Sequence, residues 1–148
     1  MLNEKEEKAL RSFRNGLNCA QSVLSAYTEE LKFDPALALS LSCGFGGGMG
    51  RLQQTCGAVT GAFMVLGIYN CRKYTDNKER KDETYGMVQE FNSRFQALHG
   101  ATDCRTLLGC DLRTEEGQQR LKEHALHDTI CEACIRDALK LSDELMQS

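Results

Sequence analysis

The sequence predicts an all-α protein, a compact bundle of about six to eight helices around one buried central helix. Three observations carry that expectation. Apolar residues recur at helical spacing along almost the whole chain. The chain has a single proline, and runs of alternating β-branched residues, the mark of strands, are scarce. Residues suited to capping helix starts, and glycines suited to ending helices, fall between the periodic segments.

The first helix is expected from Asn3 to Asn15, stopping at Gly16. The second starts at Asn18 and carries Ala20, Val23, Leu24, Tyr27 and Leu31 at helical spacing. Asp34 caps a short helix that opens on Pro35 and reaches Cys43. After the glycine-rich segment 44–50, Thr55 is expected to cap a helix from Cys56 to Cys71. That helix is apolar on most sides, which makes it the central, buried one. Gly57 and Gly61 share one of its faces, beside Ala58 and Ala62, and such a face lets another backbone approach closely.

The charged stretch 72–81 leads into a long amphipathic helix striped with Val88, Phe91, Phe95 and Leu98. It ends at His99, before Gly100. A short helix is expected from Cys104, another from Thr114 to His127, and a last one from Ile130 to the C-terminus. Cys131, Cys134, Ile135, Ala138 and Leu145 lie on or near one face of the last.

At 148 residues the chain is expected to be one domain, residues 1–148, long enough to build a core without covalent staples. The hydrophobic share of 41% and the charged share of 26% are those of a globular, soluble chain. A formal net charge of −3 leaves no basic footprint, which argues against nucleic acid as a partner. The N-terminal residues are charged from Glu4 onward and have no apolar signal region. The longest apolar stretch, 58–68, is too short and too glycine-rich to span a bilayer. A cytoplasmic location without membrane insertion is therefore expected.

Eight cysteines are many for such a chain. In a reducing compartment they point to metal ligation, catalysis or transient redox chemistry, whereas singly each can also serve as a small core hydrophobe. Four of them share a setting. Cys19 follows Asn18, Cys56 follows Thr55, Cys104 follows Asp103, and Cys131 comes just after Asp128 and Thr129. Each is thus expected in the first turn of a helix, where the dipole and free N–H groups favour a thiolate. A thiolate is both a nucleophile and a metal ligand. Four converging thiolates suit a [2Fe–2S] cluster or a tetrahedral metal.

Other signals are weaker. Cys131 and Cys134 form a CxxC, suited to a redox dithiol or equally to a packed apolar face. His124, His127, Cys131 and Cys134 are four zinc-compatible side chains, against which stands a plain pair of surface histidines. The segment 44–50 fits neither a dinucleotide fingerprint nor a P-loop. Gly46, Gly47, Gly48 and Gly57 are the candidates for backbone lying close to a cofactor, with an anion nest beside Arg51 or a flexible connection as the other readings. Cys43, Cys71 and Cys110 fall at expected helix ends, where the dipole disfavours thiolate; they are read as structural, with Cys110 a resolving partner for Cys104.

The run Gly16-Leu17-Asn18-Cys19-Ala20-Gln21-Ser22-Val23 resembles the opening motif of a family of redox-active proteins named for its cysteine pattern, C_GCAxxG_C_C. The resemblance continues through Gly44–Gly50, Cys56–Gly61 and Cys104–Gly109 to the C-terminal helix holding Cys131. It implies a helical, redox-active protein whose four characteristic cysteines are Cys19, Cys56, Cys104 and Cys131, with Cys134 as the alternative fourth. The family is similar to the non-haem part of split-Soret cytochromes, which implies an iron–sulfur centre. Covalent haem attachment is not expected, since Ile135 and not histidine follows Cys134.

The leading expectation is a small redox or electron-transfer protein with an iron–sulfur or other thiolate-bound metal centre, serving a redox partner protein. A metal-free thiol–disulfide protein is the first alternative. A helical partner-binding domain with structural cysteines is the second. A homo-oligomer is compatible with all three.

Overall fold

A computed structural model describes residues 2–147. Among these residues there are eight α-helices and no strand: α1 Glu4–Arg14, α2 Cys19–Ser25, α3 Pro35–Ser42, α4 Gly57–Lys73, α5 Asn77–His99, α6 Cys104–Leu108, α7 Glu115–Glu123 and α8 Glu132–Gln147. None of them is long and apolar enough to cross a membrane.

Side-chain caps fix where these helices start. In α1 the Asn3 side chain accepts from the Glu6 N–H, and Glu6 accepts in return from the Asn3 N–H. Asn18 and Gln21 repeat this reciprocal box at α2, which makes Cys19 the first residue of that helix. Asp34, Asp76, Asp103 and Thr114 cap α3, α5, α6 and α7. A cap of this kind is worth on the order of 1 kcal/mol.

Helix α4 is the central element and packs against α2, α5 and α8. It buries Val59, Ala62, Val65 and Leu66 among Val23 and Leu24 of α2, Phe91 and Phe95 of α5, and Ile135 and Leu139 of α8. A smaller cluster of Cys104, Leu108, Cys110, Leu112, Leu121 and Leu126 lies beneath α6 and α7. At the far end of α5, His99 Nε2 meets Asp137 of α8 at 2.8 Å.

The α2–α4 contact is a backbone-to-backbone approach. A Cβ at Gly61 would lie 2.9 Å from the Ala20 carbonyl oxygen and 3.2 Å from the Val23 Cβ. A Cβ at Gly57 would lie 3.0 Å from the Ala20 nitrogen and 3.1 Å from the Cys19 Cβ. Any side chain at either position would push the two helices apart.

Several boundaries differ from the sequence expectation. Helix α2 ends at Ser25, and Tyr27 and Leu31 reach the core from turns instead. Cys56, not Thr55, occupies the N-cap of α4. Helix α7 ends at Glu123 rather than His127, because the chain turns through Ala125 at φ +47°. The last helix is entered through a π-helical turn, His127–Cys131, rather than a cap near Ile130. Leu98 is 60% exposed and lies off the buried stripe of α5.

The segment 44–50 is not a slack connection. Gly47, Gly48, Met49, Gly50 and Arg51 have φ values of +62, +65, +68, +60 and +63°, a left-handed turn of five consecutive residues. Non-glycine residues in that conformation cost roughly 1–2 kcal/mol each, which falls here on Met49 and Arg51. The turn closes on itself: the N–H groups of Gln53 and Gln54 donate to the carbonyls of Gly47 and Gly48 at 3.1 and 2.9 Å.

Replacing Gly61 by leucine should overpack the α2–α4 contact and destabilise the fold by about 1–3 kcal/mol. An unchanged urea midpoint would show that the two backbones do not approach this closely.

Candidate redox site

The left-handed turn delivers residues 53–56 alongside 102–105. The Cys104 N–H donates to the Gln54 carbonyl at 2.7 Å, and the Cys56 N–H donates to the Thr102 carbonyl at 2.8 Å. Thr55 and Asp103 form an isolated antiparallel bridge between the two segments. This short ladder sets Cys56, at the start of α4, beside Cys104, at the start of α6. The glycine contact of α4 with α2 brings Cys19 to the same place. The π turn brings Cys131 there, and Cys134 follows on the first turn of α8.

All five of these cysteines line one cavity of about 650 Å³. Gly46, Gly47, Gly48 and Gly57 line it too, as do Cys43, Arg14, Arg51 and His127. Two of these glycines are walls of the site: a Cβ at Gly48 would lie 2.7 Å from the Cys104 Cβ, and one at Gly46 would lie 2.6 Å from the Asn18 Cβ. The eight cysteines are all free thiols. Cys43 and Cys71 are exposed rather than packed, so the structural role expected for them does not hold. Cys110 is buried near Cys104 in the smaller cluster. Among the described residues, no group of three or more His, Cys, Asp or Glu side chains is placed to hold a metal ion. His124, His127, Cys131 and Cys134 are thus not grouped around a common position. His127 instead packs edge-on against Phe13, with centroids 5.3 Å apart.

Within the cavity the sulfurs are paired. The Cys134 thiol is hydrogen-bonded to the Cys56 sulfur, and the Cys19 thiol to the Cys131 sulfur. Cys134 was the alternative fourth cysteine of the sequence reading; the structure places both it and Cys131 at the site.

The pairing divides the thiols electrostatically. Cys56 is held below the ordinary thiol value, first by the hydrogen bond from Cys134 and then by the N–H groups of Ala58 and Val59 at the open start of α4. Its partner Cys134 is pushed well up, by that same hydrogen bond and by burial. Cys19 is pushed up by its bond to Cys131 and by burial. Cys104 is pushed up to about 12, chiefly by burial.

The sequence expectation of four helix-end thiolates is thus corrected. Cys19 and Cys104 do sit at capped helix starts, but a helix end contributes at most about 2 kcal/mol, and desolvation of a buried sulfur outweighs it. Cys131 does not sit behind a cap at all, because the π turn extends the helix on its N-terminal side.

Gln53 is a site residue that sequence reasoning missed. Its side chain is buried, donates to the Cys110 carbonyl at 2.8 Å and accepts from the Leu112 N–H at 2.8 Å. The same amide nitrogen lies 3.9 Å from the Cys104 sulfur. An isolated glutamine in a loop carries no periodicity or motif that could have drawn notice. Arg14 was also missed. Its guanidinium grips Glu132 with two bonds, of 2.9 and 2.6 Å, and so pins the end of α1 to the start of α8 beside the cavity.

Residues 17–145 match the family described as "Putative redox-active protein (C_GCAxxG_C_C)". The match covers all of the site cysteines, and the chain belongs to this family. The membership supports a redox role for the cysteines. No curated protein and no solved structure matches the chain.

The thiol order predicts the order of alkylation. With a neutral alkylating agent at pH 8, Cys56 should react well ahead of Cys104, because the thiolate is the reactive form. Raising the pH toward 11 should accelerate Cys104 more than Cys56, since Cys104 still gains thiolate there while Cys56 does not. Peptide mass mapping that finds Cys104 modified first at pH 8 would refute the ordering.

Proposed function

We propose that the cavity is a thiol–disulfide redox site in which the dithiols Cys56/Cys134 and Cys19/Cys131 exchange electrons with an external disulfide. One observation carries this reading: Cys19, Cys56, Cys131 and Cys134 line a single cavity, where Cys56 acts chiefly on Cys134 and Cys131 chiefly on Cys19. Cys56 is the nucleophile of its pair, since it is the sulfur held toward thiolate.

The exchange balances as follows. The Cys56 thiolate attacks one sulfur of the external disulfide, forming a mixed disulfide and breaking the external S–S bond. The expelled thiolate takes the proton of Cys134. The Cys134 thiolate then attacks the Cys56 sulfur, closing Cys56–Cys134 and releasing the second external thiolate, which takes a proton from water. Two electrons leave the dithiol, and one disulfide becomes two thiols. Cys134 can release its proton at that step because the Cys56 thiolate that held it is consumed in the mixed disulfide. Cys19 and Cys131 can undergo the same exchange.

A second reading, an iron–sulfur centre, is favoured by the donor chemistry alone. Cys19, Cys56, Cys104 and Cys131, with Cys134 as a replacement, are thiolate donors around one cavity, and thiolates are the ligands that such clusters take. Among the described residues no three donors are grouped around one position, which favours the dithiol reading over a mononuclear ion.

Anaerobic purification followed by oxidation with a small disulfide separates the readings. The dithiol reading expects a colourless protein that loses four thiols, mapped by mass spectrometry to Cys56–Cys134 and Cys19–Cys131. Cys56→Ser should abolish the first disulfide and leave the second. A brown protein with stoichiometric iron and sulfide would establish the iron–sulfur reading instead.

A further inference from the structure

We propose that the external disulfide is a small, anionic molecule, and that Arg51 recognises its negative charge at the cavity mouth. This inference rests on the thiol–disulfide reading and names the substrate class for it.

The depth of the site argues for a small molecule. Cys56 is 7% exposed and Cys134 is 1% exposed, so their sulfurs are reached through the cavity and not from a flat surface. A cavity of about 650 Å³ has the size of a small-ligand pocket. Apolar walls from Phe13, Leu17 and Ile130 can cover the body of such a ligand.

The charge of the walls argues for an anion. The chain carries 21 acidic residues and a net charge of −3, yet no aspartate or glutamate lines this cavity. Two arginines and a histidine do. Arg14 is committed to Glu132 by its two bonds. Arg51 is exposed, and among the described residues its guanidinium has neither an ion-pair nor a hydrogen-bond partner. A free guanidinium in the lining of such a cavity is a carboxylate receptor.

Arg51 is also held in place. Its backbone is left-handed, at φ +63°. A Cβ at Gly47 would lie 2.9 Å from the Arg51 Cγ, so the arginine stem lies directly across that glycine. Strained non-glycine backbone concentrates at ligand clamps, and here one of the turn's two strained residues is the unpaired cation of the site.

The test compares three disulfides of different charge on the whole reduced protein: oxidised glutathione (anionic), hydroxyethyl disulfide (neutral) and cystamine (cationic). Rates of protein thiol loss are normalised to the reaction of each disulfide with free dithiothreitol. At low salt the wild type should react with oxidised glutathione about tenfold faster than with the neutral disulfide, as one charge-assisted contact implies. Added salt should shrink that preference. Arg51→Gln should remove the preference by raising KM for the anionic disulfide more than for the neutral one. Arg51→Lys should retain part of it, and Arg51→Glu should shift preference to cystamine. Circular dichroism confirms that each variant is folded. The same order of rates in wild type and Arg51→Gln would overturn the assignment. Equal rates for all three disulfides would also overturn it, and would point to a disulfide on a protein. Failure of every disulfide to oxidise the cysteines would overturn the thiol–disulfide reading itself.

Discussion

The whole site depends on two missing side chains. Gly57 and Gly61 let α4 lie against the Ala20 backbone of α2, and at that separation Cys19 and the start of α4 face the same cavity. Cys56 stands immediately before Gly57, so the residue that permits the close approach adjoins the residue that does the chemistry. The α4 face that meets α2 is small, while its other faces carry Val59, Val65 and Leu66 into the main core. Packing density and redox geometry are therefore set by the same helix. A substitution that loosened the first would also separate the sulfurs.

A second constraint acts on the other side of Cys56. The left-handed turn 47–51 reverses the chain tightly enough to lay residues 53–56 against 102–105, and it is Gln53 that holds this junction together. Its amide joins the turn to the Cys110–Leu112 loop, while the backbone of Gln54 holds Cys104. Two devices of different kinds thus converge on Cys56: a helix–helix contact made possible by small residues, and a strained loop locked by buried hydrogen bonds. The cost of left-handed Met49 and Arg51 is offset by bonds that a relaxed loop could not make.

Much of the fold was legible because local chemistry and tertiary structure agree. Asn3, Asn18, Asp34, Asp103 and Thr114 cap helices where their residue types indicate, and Gly100 ends α5 in the left-handed conformation it favours. The sequence also identified five of the six cysteines that line the cavity, with Cys134 held as an alternative and Cys43 read as structural. What it could not supply was the pairing. Which thiol faces which depends on the π turn at 127–131, and a π turn has the apolar periodicity of neither an α-helix nor a loop. The same turn removed Cys131 from the helix start that Asp128 and Thr129 had implied. The glycine-rich segment misled in the opposite direction, since flexibility and a compact left-handed turn ask for the same residue.

The largest departure concerns charge. A helix start stabilises a thiolate only while the sulfur keeps some solvation; once it is buried, desolvation opposes the dipole and exceeds it. Cys19, Cys56 and Cys104 all sit at helix starts, yet only Cys56 is held toward thiolate. Helix position separates them in part: Cys56 is itself the N-cap of α4, whereas Cys19 and Cys104 follow the caps Asn18 and Asp103. What distinguishes Cys56 is a neighbouring thiol that donates to it, with two backbone N–H groups behind. Cys19 is on the other end of such a contact, as the donor to Cys131, and is driven the opposite way. In a buried cluster, then, a sulfur becomes the nucleophile through its thiol neighbour together with its place on a helix. The Ala58 and Val59 N–H groups, at the start of the helix that Cys56 caps, favour the charge on Cys56.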